Sequence, residues 1–153
     1  MPEDIALPRV ISINISKGGI PKLPVSNVRI TEQGLEGDEH DHQKHYRLEQ
    51  AVSLQDMEML EQLQREGYPL QAGTTGENLT VKNLNVNKLP VGTRLRFGGG
   101  VVLELSKVRK PCYVLDSINP RLKKDIVDRC GIYAKVIVTG ILTQNTAIYI
   151  SET

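Results

Sequence analysis

The stretch GTRLRFGGGVVLELSKV, residues 92–108, has the pattern of a β-hairpin. Leu95 and Phe97 alternate with two arginines, and after three consecutive glycines the alternation resumes at Leu103 and Leu105. Because successive side chains of a strand point to opposite faces, this period of two predicts two half-buried strands joined by a glycine turn. The hairpin therefore indicates a domain built mainly from antiparallel strands.

Other segments show the same period. In residues 9–17, Ile11, Ile13 and Ile15 face one way, and the serines and asparagine between them face the other. This pattern predicts a first strand with one apolar and one polar face. The remaining predicted strands are residues 27–31, 78–81, 133–140 and 146–150, and the last two are expected to pair with each other.

Two helices are predicted. In residues 53–68 apolar residues recur at helical spacing, Ser53 with Asp56 resembles a capping box, and Gly67 can end the helix. In residues 119–131 an asparagine and a proline begin the second helix and a glycine ends it. The region 32–50 is polar, contains all three histidines and is predicted to be a long loop.

These elements fit one domain. The sequence contains no internal repeat, linker or low-complexity tract, so residues 1–153 are expected to fold together. Strands outnumber helices, and most neighbouring strands are joined by hairpins. We therefore predict a mainly β fold, a small closed or nearly closed barrel with helices covering its ends.

Composition excludes several classes of partner. The chain has 19 Lys and Arg against 18 Asp and Glu, a net charge of +1, which gives no overall field to attract nucleic acid or an anionic membrane. It has no Trp and one Phe, too few aromatic residues for base stacking. No apolar run approaches the roughly 20 residues that span a bilayer, and the N-terminus does not resemble an export signal. We expect a cytoplasmic protein that binds neither nucleic acid nor membrane.

The two cysteines have different surroundings. Cys112 directly follows Arg109, Lys110 and a proline, and nearby positive charge favours the reactive thiolate. The alternative is that Cys112 is a buried small apolar residue, as most unmodified cysteines are. Cys130 lies at the end of the second predicted helix and is expected to be structural.

Two loops could bind an anion. Lys44, His45 and Arg47 lie within four residues and supply donors suited to phosphate. Metal binding by the histidines is a weaker alternative, because their spacing is not that of metal ligands. A further alternative is that this region is simply a solvated charged loop. The sequence AGTTGENL, residues 72–79, has glycines and threonines that could cradle an oxyanion, although a simple turn would have the same composition.

Six motifs occur in a specific order and give the chain a family resemblance. They are GLEGD at 34–38, AVSL at 51–54, GTTGENLTV at 73–81, VGTRLRFGG at 91–99, RKPC at 109–112 and GIYAKVIVTG at 131–140. Together they resemble the MOSC domain family, named for the C-terminal domain of molybdenum cofactor sulfurase. The resemblance covers about residues 8–151 and implies a barrel similar to that of pyruvate kinase, with two or three short helices.

The resemblance also implies a function. The family is associated with the molybdenum cofactor, a molybdopterin, so Cys112 is expected to be a sulfur carrier or the metal ligand and Arg109 a cation facing the cofactor. Thr74, Thr75, Gly76, Glu77 and Asn78 would form a loop of the pocket. By extension, Lys44, His45 and Arg47 would meet the phosphate or pterin.

Three functions remain open on this basis. Some family members reduce N-hydroxylated compounds, which would make the chain a molybdenum-dependent oxidoreductase working with a reductase. It could instead carry or transfer sulfur without turnover of its own. It could also bind a different anionic ligand while Cys112 is inert. Because the chain lacks an aminotransferase-like domain, another protein is expected to supply the sulfur or the cofactor.

Overall fold

The computed structural model describes residues 7–39, 48–111 and 113–151. Most of them lie in short strands. The strands are β1 Arg9–Ile15, β2 Leu23–Val25, β3 Asn27–Thr31, β4 Gly34–Leu35, β5 Val52–Asp56, β6 Leu79–Lys82, β7 Arg94–Phe97, β8 Val102–Val108, β9 Ile132–Val138, β10 Gly140–Thr143 and β11 Ile148–Ser151. The α-helices are α1 Met57–Arg65 and α2 Leu122–Asp125, and short 3-10 turns occur at Leu48–Gln50, Val86–Lys88 and Tyr113–Ser117.

The strands form two sheets. Eight of them lie in the order β11-β7-β8-β9-β5-β6-β1-β2, and the other three in the order β10-β3-β4. Strands β5 and β6 are parallel, whereas the other pairs are antiparallel. The mainly β fold and the presence of two helices are therefore confirmed, although α2 covers only Leu122–Asp125 of the predicted residues 119–131.

The predicted closure of the barrel is not confirmed. In the described residues the large sheet runs from β11 at one edge to β2 at the other. The start of β1 meets the chain before β11 through the Arg9–Ala147 bridge and backbone hydrogen bonds such as Val10 N to Thr146 O at 3.0 Å, without a continuous strand pairing. The reason lies in β1. Its last residues, Ile13–Ile15, pair with β2, so only its first residues are left to meet the C-terminal segment.

The first predicted helix begins later than the pattern indicated. Residues Val52–Asp56 form β5, buried along its whole length between β9 and β6, and α1 starts at Met57. Ser53 therefore caps no helix; its N–H donates to Asn78 Oδ1 at 3.0 Å. Complete burial in the middle of a sheet overrides the local helical pattern, because tertiary contacts outweigh intrinsic propensity.

The predicted pairing of the last two strand segments is wrong. Strand β11 pairs with β7, and β9 lies between β8 and β5. Residues 140–143 instead form β10, which pairs with β3 in the second sheet. The predicted hairpin of β7 and β8 is confirmed, with Leu95 opposite Leu103.

Two apolar clusters stabilise this arrangement. The larger cluster fills the space between the sheets, and the smaller one holds the two helices. The smaller cluster consists of Leu60, Leu63, Tyr68, Leu70, Leu115, Leu122, Ile126 and Cys130. Cys130 is 1% exposed and is thus a core residue, as expected. In the described part of the chain, neither helix is long and apolar enough to cross a membrane.

Candidate functional site

The residues predicted to form the site fall into two groups. Cys112, Lys44, His45 and Arg47 lie outside the described residues. Arg109 and the loop 74–78 are described, and the structure brings them into contact.

The side chain of Glu77 stabilises the loop through hydrogen bonds. Its carboxylate is fully buried and accepts hydrogen bonds from Gly73 N at 2.9 Å, Thr75 Oγ1 at 2.7 Å and Thr80 Oγ1 at 2.9 Å. A buried carboxylate is stable when several donors replace its lost water. Glu77 thus sets the shape of the loop.

Strand β1 has no exposed polar face because the polar side chain of Asn14 is buried against the loop. This side chain is fully buried and donates to Glu77 O at 3.2 Å and to Thr80 Oγ1 at 3.0 Å, while Ser12 Oγ donates to it at 2.6 Å. The serine and asparagine that were expected to face solvent meet the polar loop. An irregularity in the pairing with β6 between Val10 and Ser12 accompanies this change of face.

A second buried network ties the loop to the GLEGD segment. Asn78 Nδ2 donates to Asp38 Oδ2 at 2.9 Å, and Lys22 Nζ pairs with the same oxygen at 2.7 Å. Asp38 Oδ1 also accepts from Ser16 N at 2.9 Å. The side chains of Asp38 and Lys22 are 2% and 13% exposed, so this ion pair is nearly removed from water.

The loop is therefore held together by its own donors. The N–H groups of Gly73, Thr74, Gly76 and Asn78 donate to protein acceptors. The side chains of Thr75, Glu77 and Asn78 likewise bond within the protein. These four N–H groups are thus already paired, and the predicted oxyanion cradle and its alternative, a simple turn, both stay predictions. The loop also holds a neighbouring cation.

That cation is Arg109, the residue after the end of β8. Its backbone N–H donates to Gly131 O at 3.1 Å, and its Nη2 donates to Thr75 O at 2.6 Å. The other terminal nitrogen, Nη1, is buried and has no hydrogen-bond partner among the described residues. An unpaired buried donor costs free energy, so this nitrogen is suited to an acceptor that arrives with a ligand.

The surroundings of Arg109 keep it charged. Burial alone would lower the pKa of the guanidinium, but Cys130, Tyr133 and Glu77 act in the opposite direction, and the pKa is raised above its usual value. The side chain is thus a permanent cation with one free donor at the end of β8.

Gly76 permits this contact. Its φ is +92°, and a Cβ there would lie 3.2 Å from Arg109 Nη2 and 3.0 Å from Ile20 Cγ2. A side chain at this position would be strained and would also crowd the guanidinium. Gly76, the second glycine of GTTGE, is therefore required both by its positive φ and by the close approach of Arg109 and Ile20.

Arg109 also lines a cavity of about 910 Å³. The cavity lies between the end of β8 and α2, and Lys110 and Pro111, the two residues before Cys112, line it as well. The other lining residues are Val108, Pro120, Lys123, Lys124, Val127 and Asp128. Sequence reasoning missed Lys123 and Lys124. The available signal was two lysines between apolar residues that the helix buries, Leu122 and Ile126.

The described residues contain no metal site of their own. Nowhere in residues 7–39, 48–111 and 113–151 do three or more His, Cys, Asp or Glu side chains come together to hold an ion. The three histidines, His40, His42 and His45, lie outside those ranges. The weaker alternative of a histidine-bound metal therefore stays untested.

Comparison with known families identifies the class of protein. The family model described as the MOSC domain matches residues 41–149, which is more than half of the chain. The chain belongs to the MOSC domain family, in agreement with the ordered motifs.

Individual relatives add detail. A protein named "Reductase" from Gibberella moniliformis is 32% identical over 127 residues, and the match covers 78% of this chain but 23% of that protein. The crystal structure of YiiM from Geobacillus stearothermophilus has a TM-score of 0.78 at 26% identity, covering 95% of this chain and 75% of that one. The YuaD protein from Bacillus subtilis has a TM-score of 0.79 at 16% identity, covering 95% and 96% of the two chains, and so shows the fold alone.

Proposed function

We propose that this protein binds the molybdenum cofactor, uses the Cys112 thiolate as metal ligand and reduces N-hydroxylated compounds. The single observation that carries the proposal is Arg109 Nη1, a buried cationic donor without a partner in the described residues. Arg109 lies three positions before Cys112 in the sequence, and Lys110 is a second cation beside it. A cofactor that carries a phosphate group needs such donors.

The residues present fit that cofactor. Arg109 is held by Thr75 O and by the packing of Gly76, so its free nitrogen has a fixed position from which to donate to an oxyanion. Lys110, within the RKPC segment, adds positive charge two residues before Cys112, which favours its thiolate. When bound, the cofactor would supply a redox-active molybdenum centre, and thiolate is a ligand suited to soft metals.

The relative named "Reductase" supports a reducing activity, but the chain spans only 23% of its length. We propose that a reductase partner supplies electrons and that another protein supplies the cofactor. A reducing compartment such as the cytoplasm would keep the Cys112 thiol available.

The test is metal and pterin analysis of the purified protein after expression in a host that makes the cofactor. Wild-type protein is expected to release molybdenum and pterin in equal amounts on denaturation, and Cys112→Ala is expected to lose most of the molybdenum. Arg109→Lys should lower the content of both because lysine loses the two-pronged guanidinium geometry. Arg96→Lys, an exposed arginine on β7, is the matched control. Wild-type protein without molybdenum or pterin would contradict the proposal.

A sulfur carrier is the second candidate. The observation that favours it is the position of Cys112 just after Arg109 and Lys110, because nearby positive charge favours the nucleophilic thiolate. Cys112 would then hold a persulfide, seen as a mass increase of about 32 Da after treatment with a persulfide donor. The increase should be absent from Cys112→Ala. Unmodified wild-type protein under these conditions would exclude this role.

A further inference from the structure

The cavity beside Arg109 has an uneven distribution of charge. Four cations line it, Arg109, Lys110, Lys123 and Lys124, against one carboxylate, Asp128. The whole chain carries a formal charge of only +1, so this excess is local. A concave surface lined by one sign of charge attracts the opposite sign from solution.

The lysines of α2 are available to a ligand. The Nζ atoms of Lys123 and Lys124 have no ion-pair or hydrogen-bond partner among the described residues, and both side chains are exposed. Other lysines differ: Lys22 pairs with Asp38 at 2.7 Å, and Lys135 pairs with Glu104 at 3.3 Å.

The remaining walls of the cavity are apolar. Val108 and Val127 line it and are 40% and 52% exposed, and two prolines complete the wall. Small-molecule sites likewise combine apolar walls with charged groups that fix the orientation of the ligand.

The position of α2 is fixed from its other side. Leu122 and Ile126 are fully buried in the smaller core cluster, and Arg129 Nη1 pairs with Glu66 Oε2 at 2.8 Å. Tyr68 also donates a hydrogen bond to Asp125. These contacts hold the backbone of α2 in place, with Lys123 and Lys124 on the side that lines the cavity.

We infer that this cavity is the substrate site and that it selects small molecules with an oxyanion, carboxylate or phosphate, attached to an apolar body. Lys123 and Lys124 bind the oxyanion, and Val108 and Val127 contact the apolar body. The assignment as substrate site rests on the proposed function, because the cavity lies beside the residue that precedes Cys112.

Binding of simple probes to the purified protein tests this inference. Isothermal titration calorimetry would compare benzoate and phenyl phosphate with benzamide, which has a similar apolar body but no charge. Inorganic phosphate tests the oxyanion without that body. The wild type is expected to bind one or both aryl anions about tenfold more tightly than benzamide and inorganic phosphate.

The decisive variant is Lys123→Gln with Lys124→Gln, which should weaken binding of the aryl anions about tenfold and leave molybdenum content unchanged. Lys82→Gln with Lys88→Gln removes the same charge from exposed positions elsewhere and is the matched control. Val127→Asp places a carboxylate on the cavity wall and should also weaken binding. Val91→Asp, at a residue 57% exposed outside the cavity, should not.

Each outcome decides the question. Benzamide or inorganic phosphate binding as tightly as the aryl anions would overturn the inference, as would no saturable binding of any probe. Loss of molybdenum from the lysine variant with aryl-anion binding retained would assign the lysines to the cofactor and overturn it too. If wild-type protein holds no molybdenum but binds aryl anions through these lysines, the anion site stands and the proposed function fails.

Discussion

Asn78 and Asp38, 40 positions apart in the sequence, are joined by a hydrogen bond of 2.9 Å between Nδ2 and Oδ2. This bond connects the GENLTV motif to the GLEGD motif. Lys22 pairs with the same carboxylate at 2.7 Å, so three separate segments meet at one nearly buried ion pair. The two motifs are therefore parts of one polar core beneath the loop that contacts Arg109.

This relationship predicts a large loss of stability for Asp38→Ala. The substitution leaves Lys22 nearly buried without its counter-ion and Asn78 Nδ2 with one acceptor fewer, so the free energy of unfolding should fall by about 3 kcal/mol. Urea unfolding followed by circular dichroism measures the loss. Glu61→Gln, at an exposed carboxylate on α1, should change stability by less than about 0.5 kcal/mol. Equal stability of the two variants would show that the network contributes nothing.

Gly76 and Gly67 form a matched pair for testing the contact with Arg109. Both have positive φ, +92° and +106°, but a Cβ at Gly67 would meet nothing within 4 Å. Alanine at either position should cost about 1–2 kcal/mol of backbone strain. Gly76→Ala should in addition displace Arg109 and lower the molybdenum content under the proposed function. Similar molybdenum content in the two variants would argue against a cofactor role for this contact.

Asp56 predicts a specific pH dependence of stability. Burial raises the pKa of this carboxyl from 3.8 to about 6, although hydrogen bonds such as that from Val86 N oppose the shift. Between about pH 4 and pH 6 the folded state therefore binds more protons than the unfolded chain, and the stability contributed by Asp56 falls as the pH rises through this window.

Asp56→Asn can accept the hydrogen bond from Val86 N and cannot ionise. The unfolding free energy of the variant minus that of the wild type should consequently increase by about 2.4 kcal/mol from about pH 4 to about pH 7. Denaturant unfolding across this range gives the difference, and carbon NMR of the carboxyl gives the pKa directly. A difference that stays constant with pH would be inconsistent with the raised pKa.

The two cysteines should differ in reactivity. Cys130 is 1% exposed in the core cluster around the helices, whereas the cations before Cys112 favour its thiolate. Iodoacetamide should therefore label Cys112 first in the native protein and reach Cys130 only after denaturation. Peptide mass spectrometry over a time course distinguishes the sites. Slow labelling of Cys112 would favour the alternative that this cysteine is inert.

Local patterns predicted most of the elements but not all of their neighbours. The β7–β8 hairpin follows from alternation and three glycines, because a hairpin is a local structure. The pattern predicts β5 as part of a helix because its residues continue the helical spacing of α1. Their complete burial depends on β6 and β9, which are distant in the sequence, so a local pattern does not reveal it. The pairing of β11 with β7 was also missed because it joins distant segments.

The sequence by itself determined the mainly β class and, through six motifs in a specific order, the family. It also determined that Cys112 follows Arg109 and Lys110 closely in the chain. Only the tertiary structure decided how the loop of residues 74–78 is used. Its hydroxyl, amide and carboxylate groups turn inward because burial requires each of them to find a partner. Folding also brought Lys123 and Lys124 to the cavity beside Arg109, since α2 buries its apolar residues against the smaller core.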